Sequence, residues 1–263
     1  MKKLSYLKNR IKSTVSQLGY EIRRIPTSQT RIELTHFQCC LNLLMGTSDY
    51  LNIVQIGAND GAINDPLFSF VSQYSKRTRV VLVEPQSQLI PYLEENYKFH
   101  GAKFIFNGAL GNQSELRLFR VREEYWKDLV VPYAADWPVY RAPTGVTSAE
   151  YPHVSAWLSE HYKGQLPISD LIEEVTVEAV DMEQLLARAR LFDTIDILQV
   201  DTEGFDDQVL YASDIPKYRP KIIHFELTHL SVEKALRLNG FLVDQGYVVS
   251  SHGIDGLAIR TLP

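Results

Sequence analysis

Two carboxylates follow directly after an apolar run in the second half of the chain. The run is Ile197–Val200, and Asp201, Glu203 and Gly204 come after it. Such a run predicts a buried strand, so both carboxylates are expected where the strand ends. Residues two apart share a face in extended geometry. Two carboxylates buried together need partners, which points to hydrogen bonds, a shared proton or a bound cation.

A second group of titratable residues belongs to the next predicted strand, residues 221–227. These residues are His224, Glu226 and, just beyond the strand, His229. Ligands of a doubly wound sheet bind beyond the carboxyl ends of its strands, so we expect these side chains close to Asp201. For His224, which lies within the strand, a hydrogen-bonded core residue is the alternative interpretation.

A glycine-containing turn follows the first predicted strand, Leu51–Ile56. It contains Gly57, Asn59, Asp60 and Gly61. In doubly wound folds this first turn binds nucleotides or adenosine cofactors. The sequence lacks both the three-glycine dinucleotide spacing and a Gly-Lys-Ser/Thr phosphate loop. An adenosine compound without a pyrophosphate therefore fits best.

Glu84 ends the second predicted strand, residues 79–84. It follows the glycine turn by about twenty residues, a position from which an acidic side chain accepts hydrogen bonds from ribose hydroxyls. The third strand, residues 103–107, leads into the small residues Gly108, Ala109 and Gly111. These could lie beside an adenine ring, although a tight turn alone would also explain them.

The elements that position these residues alternate along the chain. Predicted strands are separated mostly by helices, and several strands are apolar on both faces. This pattern is typical of an α/β fold with an open, doubly wound sheet. A helix is also predicted at residues 31–45, before the first strand.

Residues 122–172 interrupt the alternation. This segment holds three tryptophans and five prolines, with several tyrosines and histidines. An insertion of this length is typical of a lid or binding element, and its mixed aromatic and polar composition suits a sugar or another amphipathic ligand. A structural flap with its own small core is the alternative.

Residues 1–26 are basic in an otherwise acidic chain. They carry +6, and since the whole chain carries −5, the remainder carries −11. Residues 1–30 are predicted to form an amphipathic helical segment that either contacts a membrane surface or a partner, or packs on the domain. The acidic remainder argues against a nucleic-acid partner.

Cys39 and Cys40 are adjacent and have neither disulfide nor metal-ligand spacing, so we expect buried thiols. The sequence shows no apolar run of membrane-spanning length and no signal-peptide pattern. These features predict a cytoplasmic protein whose membrane contact, if any, is peripheral and made through residues 1–26.

Several motifs, in order, resemble the FkbM family of S-adenosylmethionine-dependent methyltransferases. They cover residues 52–259 and are QIGANDG, VLVEP, NGALG, TGVTS, LQVDTEGFD, RPKIIHFELTHLS and GIDGLAIR. The resemblance implies a class I methyltransferase fold, a Rossmann-like sheet of seven mostly parallel strands with an antiparallel last pair. It also implies S-adenosylmethionine as cofactor and O-methylation of a sugar or glycosylated acceptor. Residues 31–263 would then form the methyltransferase domain.

The resemblance also implies which residues bind the cofactor. Two positions depart from the family pattern: Gln55 stands where many relatives have Asp, and Gln199 where relatives often have Lys. We interpret both as variation that leaves activity intact. The implied cofactor-binding residues are Gln55, Gly57, Asn59, Asp60, Gly61, Glu84, Pro85, Asn107, Gly108, Ala109 and Asp201.

Methyl transfer to a sugar hydroxyl requires removal of the hydroxyl proton, because the sulfonium is already a good leaving group. Asp201 is the predicted acceptor-side residue, with His229 or His224 as base and Glu226 as its orienting partner. A carboxylate pair with a histidine could equally bind Mg²⁺ or a similar divalent cation, although no multi-ligand motif fixes such a site.

Two other classes of protein share some of these features. A cofactor-binding protein without catalysis, docked through its N-terminal segment, would share these motifs. A nucleotide-sugar epimerase or dehydrogenase is disfavoured, because both the dinucleotide spacing and a Tyr-x-x-x-Lys motif are missing from the sequence. The acceptor and the oligomeric state do not follow from the sequence.

Overall fold

The computed structural model describes residues 34–261. The basic segment 1–26, with its predicted helix, lies outside the described residues. Within residues 34–261, no helix has the length and apolar character needed to cross a bilayer.

The strands form two sheets. Numbered along the chain, they are β1 (Leu51–Ile56), β2 (Thr78–Val83), β3 (Lys103–Phe106), β4 (Ala109–Leu110), β5 (Glu115–Val121), β6 (Ile172–Val180), β7 (Ile197–Val200), β8 (Ile222–Glu226), β9 (Tyr247–His252) and β10 (Asp255–Arg260). The main sheet has seven strands in the order β3-β2-β1-β7-β8-β10-β9. Its first five strands are parallel, and β10 is antiparallel to both neighbours. The predicted doubly wound sheet with an antiparallel last pair is confirmed.

Helices cover both faces of the main sheet. They are α1 (His36–Gly46), α2 (Phe68–Gln73), α3 (Ile90–Asn96), α4 (Arg141–Gly145), α5 (Tyr151–His161), α6 (Met182–Ala189), α7 (Asp206–Ala212), α8 (Ile215–Tyr218) and α9 (Val232–Asp244). One buried core lies between the sheet and α1, α2 and α3, and another between the sheet and α6, α7 and α9. Strand β1 supplies Ile53 to the first core and Val54 to the second, which is why it is apolar on both faces.

Helix α1 begins at His36, later than the predicted residue 31. The hydroxyl of Thr35 accepts the Gln38 backbone N–H, and the Gln38 side chain accepts the Thr35 N–H, so a capping box sets the start. The expectation of buried thiols is wrong for Cys39, which is exposed on this helix, while Cys40 is half-buried. Both cysteines are free thiols.

The smaller sheet consists of β4, β6 and β5, and the insertion lies between two of its strands. Residues 172–178 of β6 pair antiparallel with β5, and Ala179 and Val180 of β6 pair parallel with β4. The insertion connects β5 to β6 and contains α4, α5 and short 3₁₀ helices. Val146, Val154 and Leu158 form a buried core with strand residues, and Trp126 and Trp157 pack against it. The insertion thus has a small core of its own, as the flap interpretation supposed.

Candidate active site

A pocket opens at the carboxyl ends of β1, β2 and β7. The space in it that the centre of a water molecule can reach is about 90 Å³, and the pocket is open to solvent. The smaller sheet and the insertion also contribute to the lining, through Leu116 and Leu118 of β5 and through Thr144 and Ser148.

The loop after β1 passes directly against the loop after β7. Gly57 has a φ of 80°, and a β-carbon on it would lie 1.8 Å from the carbonyl oxygen of Asp201. The backbone N–H groups of Gly57 and Ala58 both donate to the Val83 carbonyl oxygen at 3.0 Å. Both the left-handed φ and the close approach require glycine here.

The Glu84 carboxylate is buried beside this loop. The backbone N–H groups of Asn59 and Gln86 donate to its two oxygens at 2.7 and 2.8 Å. Burial raises the pKa of Glu84 to about 7, and these hydrogen bonds partly oppose the effect. Each oxygen keeps a further lone pair, and the residue lines the pocket, so the carboxylate can accept two more hydrogen bonds from a ligand.

Most of the predicted cofactor residues line this pocket. Those that do are Gln55, Gly57, Asn59, Glu84, Pro85, Gly108, Ala109 and Asp201. The other three, Asp60, Gly61 and Asn107, lie behind its wall.

Each of these three residues shapes a loop. Asp60 accepts hydrogen bonds from the backbone of Ala62 and Ile63, and Gly61 packs where a β-carbon would meet Leu93 and Tyr97. The Asn107 amide donates to the Glu84 and Pro85 carbonyl oxygens. Their contacts position the pocket wall, and a direct contact of these residues with the cofactor stays a prediction.

The two departures from the family pattern are neighbours. Gln55 of β1 and Gln199 of β7 are register partners, so their side chains lie side by side. Gln55 donates from Nε2 to Asp65 at 2.5 Å, and burial raises the pKa of Asp65 to about 6. The Oε1 atoms of both glutamines are buried without a hydrogen-bond partner in the described part of the chain. These two oxygen atoms at the pocket wall can therefore accept hydrogen bonds from a bound ligand.

Arg141 reaches the site from the insertion and was missed by sequence reasoning. Its guanidinium donates twice to the Ile63 carbonyl oxygen and lies 3.9 Å from the Asp60 carboxylate. Burial raises the pKa values of Asp201 and Glu203, and the Arg141 charge opposes this. Arg141 lies three residues before the TGVTS motif and outside it, so no motif marked it out.

A wider pocket, about 620 Å³ by the same measure, adjoins the first beside β7 and β8. Arg141, Asp201 and Glu203 line both pockets and therefore stand between them. The insertion contributes an aromatic part of the lining, which consists of Tyr133, Trp137 and Trp157. The indole N–H of Trp157 donates to the Tyr133 hydroxyl at 3.0 Å.

The structure brings the predicted titratable residues together in this second pocket. Asp201, Glu203, His224, Glu226 and His229 all line it. Glu203 Oε2 lies 3.3 Å from His229 Nε2, and Glu226 Oε2 lies 3.8 Å from the same nitrogen. Glu203 is therefore nearer to His229 than Glu226, the predicted partner.

His153 of α5 joins this group and was also missed. Its Nε2 lies 3.3 Å from Glu203 Oε2, and its ring centroid lies 4.4 Å from that of His229. Burial lowers the pKa of both imidazoles, which keeps them neutral at pH 7. In the sequence His153 was only one of several aromatic or histidine residues in the insertion.

His224 packs as a core residue at the edge of the pocket. Its ring stacks on Phe37 with a centroid distance of 4.1 Å, and its Nε2 lies 3.7 Å from Asp255. This packing agrees better with the core interpretation than with a mobile base.

Several carboxylates lie close together in and beside the loop after β7. Burial and neighbouring carboxylates raise the pKa of Glu226 to about 9 and that of Asp206 to about 7. Asp206 begins α7 but is fully buried, where it accepts the backbone N–H groups of Thr202 and Glu226. It thereby ties the loop after β7 to β8.

The sheet order, the glycine turn after β1 and the acidic residue directly after β2 together define a class I methyltransferase fold with its pocket at the carboxyl edge. Residues 55–249 match the model of the methyltransferase FkbM domain. The chain belongs to this family, and in family and fold it is an S-adenosylmethionine-dependent methyltransferase. Comparison with curated protein sequences gives no match.

The chain is also similar to several solved structures. A methyltransferase from Geobacter sulfurreducens is 13% identical, with 96% of each chain covered and a TM-score of 0.39. Precorrin-6y C5,15-methyltransferase from Geobacter metallireducens is 12% identical, with 89% of this chain and 94% of that chain covered and a TM-score of 0.39. Aeropyrum pernix fibrillarin with natively bound S-adenosyl-L-methionine is 11% identical, with 84% and 72% covered and a TM-score of 0.40. These values carry no information about the acceptor.

Proposed function

We propose that the chain transfers the methyl group of S-adenosylmethionine to a hydroxyl oxygen of a sugar or glycosylated acceptor. The observation that carries this proposal is the wall shared by the two pockets, where Asp201 and Glu203 separate the pocket beside the glycine turn from a wider, aromatic one. Aromatic side chains such as Trp137 and Trp157 pack against the apolar faces of sugar rings, while carboxylates and imidazoles bind their hydroxyls.

The residues of the smaller pocket fit S-adenosylmethionine. Glu84 would accept the ribose hydroxyls, and Ala109 and Leu116 would face the adenine. The Oε1 atom of Gln55, which finds no partner among residues 34–261, would accept a hydrogen bond from the methionine ammonium. Arg141 would pair with the methionine carboxylate. The cofactor supplies a methyl group on a sulfonium, which is a good leaving group.

The protein must then align the acceptor oxygen, exclude water and remove a proton. Asp201, at the junction of the pockets, would bind the acceptor hydroxyl. The proton has two routes: neutral His229 oriented by Glu203 would accept it, or a divalent cation near these groups would make the hydroxyl more acidic. His224 and Glu226 would support the site from β8.

Methyl transfer from isotopically labelled S-adenosylmethionine to a panel of cell-surface glycans and glycolipids tests the proposal. We expect label in at least one glycan, and a loss of turnover in Asp201→Asn. Cofactor binding without label in any hydroxylated acceptor would favour the non-catalytic docking protein instead. Full turnover in both Asp201→Asn and His229→Ala would place the acceptor side elsewhere.

Peripheral membrane contact through residues 1–26 and a cytoplasmic location are further parts of the proposal. Cosedimentation with anionic vesicles, with and without these residues, tests the first. A nucleic-acid partner is not expected, and titration with RNA at low salt would expose an error.

A further inference from the structure

Three potential metal ligands converge at the edge of the wider pocket. They are His153 from α5, Glu203 from the loop after β7 and His229 from the loop after β8, and their ligand atoms lie within 4.8 Å of one another. Glu203 Oε2 is 3.3 Å from the Nε2 atom of each histidine. Ligands about 2.0–2.3 Å from one metal ion lie roughly 3 to 3.5 Å apart, so this spacing suits a shared ion.

Two buried atoms, one in this cluster and one in the neighbouring Glu226, lack hydrogen-bond partners. His153 Nε2 and Glu226 Oε2 are buried without a hydrogen-bond partner in the region that the structure describes. Buried polar atoms are almost always paired, so each of these atoms indicates a missing partner. Glu226 also belongs to a second ligand group with Asp201 and Glu203, which extends the cluster toward the cofactor pocket.

We propose that His153, Glu203 and His229 bind a first-row divalent transition-metal ion, with Asp201 or Glu226 on its open side. Two imidazoles and a carboxylate favour Mn²⁺, Fe²⁺ or Zn²⁺ over Mg²⁺, which prefers oxygen ligands and water. The site therefore differs from the predicted one, in which a carboxylate pair with a single histidine binds Mg²⁺ or a similar divalent cation. It also joins α5 of the insertion to two loops of the main sheet.

The catalytic role of this ion rests on the proposed function, whereas its binding does not. The ion would hold the acceptor oxygen and lower the pKa of its hydroxyl. The proton would pass to the Asp201 carboxylate as the new carbon–oxygen bond forms and the carbon–sulfur bond of the cofactor breaks. His229 would then act as a ligand, and the cation route replaces the histidine base.

Binding of Mn²⁺ to the chelator-treated full chain tests the site, by calorimetry and by the Mn²⁺ electron paramagnetic resonance signal. We expect one Mn²⁺ per chain, a higher unfolding temperature with Mn²⁺, and at least tenfold weaker binding in His153→Gln and His229→Gln. His161→Gln is the matched control, since His161 lies on the same helix, lines the same pocket and should leave binding unchanged. Unchanged cofactor affinity would show that the variants are folded.

Three results would overturn the site: no binding of Mn²⁺ or Zn²⁺ by the parent chain, tighter binding of Mg²⁺ than of Mn²⁺, or undiminished binding in His153→Gln. Loss of Mn²⁺ binding in these variants would support it even if no glycan accepts a methyl group. Failure of the glycan screen thus counts against the proposed function and leaves the metal measurement intact.

Discussion

The carbonyl oxygen of Asp201 lies only 1.8 Å from the position that a β-carbon on Gly57 would occupy. The loop after β1 and the loop after β7 are therefore in direct contact through backbone atoms. We expect Gly57→Ala to push the loops apart, to lower stability by about 1–3 kcal/mol or more, and to weaken S-adenosylmethionine binding at least tenfold. Calorimetry and thermal unfolding measure both effects.

Gly246→Ala is the control for Gly57→Ala. Gly246 has a φ of 86°, but no atom lies within 4 Å of a β-carbon built there. This variant should show only the cost of a left-handed alanine, about 1–2 kcal/mol, with cofactor affinity unchanged. Equal losses of affinity in the two variants would contradict the contact between loops.

Glu84 should make cofactor binding depend on pH. Burial raises the pKa of Glu84 to about 7, and the ionised carboxylate is the better acceptor for ribose hydroxyls. Affinity for S-adenosylmethionine should therefore rise several-fold between pH 6 and pH 8, as calorimetry would measure. Glu84→Gln should bind weakly and without this pH dependence; an unchanged affinity would refute the ribose contact.

The same group should affect stability in the opposite direction. The pKa of Glu84 in the folded protein lies above its ordinary value of 4.5, so its contribution to stability is fully present below that pH. The contribution is lost as pH rises through about 7. We expect the unfolding temperature of the cofactor-free chain to fall from pH 6 to pH 8, and to fall less in Glu84→Gln.

Arg141 supplies the positive charge between the pockets. Arg141→Ala should weaken cofactor binding and reduce kcat/KM by about 10- to 100-fold, since hydrogen bonds to charged groups contribute about 1.5–3 kcal/mol. Arg237→Ala is the control, because Arg237 is exposed on α9 and pairs only weakly with Glu233. An equal loss of cofactor affinity and of kcat/KM in both variants would show that Arg141 has no specific role in the site.

Trp157 should affect binding of the acceptor and leave binding of the cofactor unchanged. It lines the wider pocket and not the cofactor pocket, so Trp157→Ala should raise KM for the glycan about 3- to 10-fold. The dissociation constant for S-adenosylmethionine should stay the same. If both constants changed together, the aromatic wall would be a structural support and not an acceptor surface.

The main sheet could be predicted because its signals are local. Strands such as β2 and β7 are apolar on both faces, and the residues that follow them occupy the carboxyl edge in any doubly wound sheet. Glu84 and Asp201 were found by this rule alone.

Arg141 and His153 escaped prediction because their positions depend on how the insertion folds back over the sheet. No periodic pattern encodes that path. Asp206 shows the same limit: its place at the start of α7 was predictable, but its burial depends on the backbone N–H of Glu226 on another strand. The position or burial of each of these residues depends on contacts between segments that are far apart in the sequence.

Arg141 and His153 lie on one continuous segment between β5 and β6, whereas Gly57, Glu84 and Asp201 belong to loops of the main sheet. If the proposed function holds, the aromatic part of the acceptor surface belongs to this segment, while most of the cofactor contacts belong to the main-sheet loops. Exchange of the β5–β6 segment between relatives is a route to new acceptors on an unchanged donor platform, provided that the incoming segment keeps a cation where Arg141 stands.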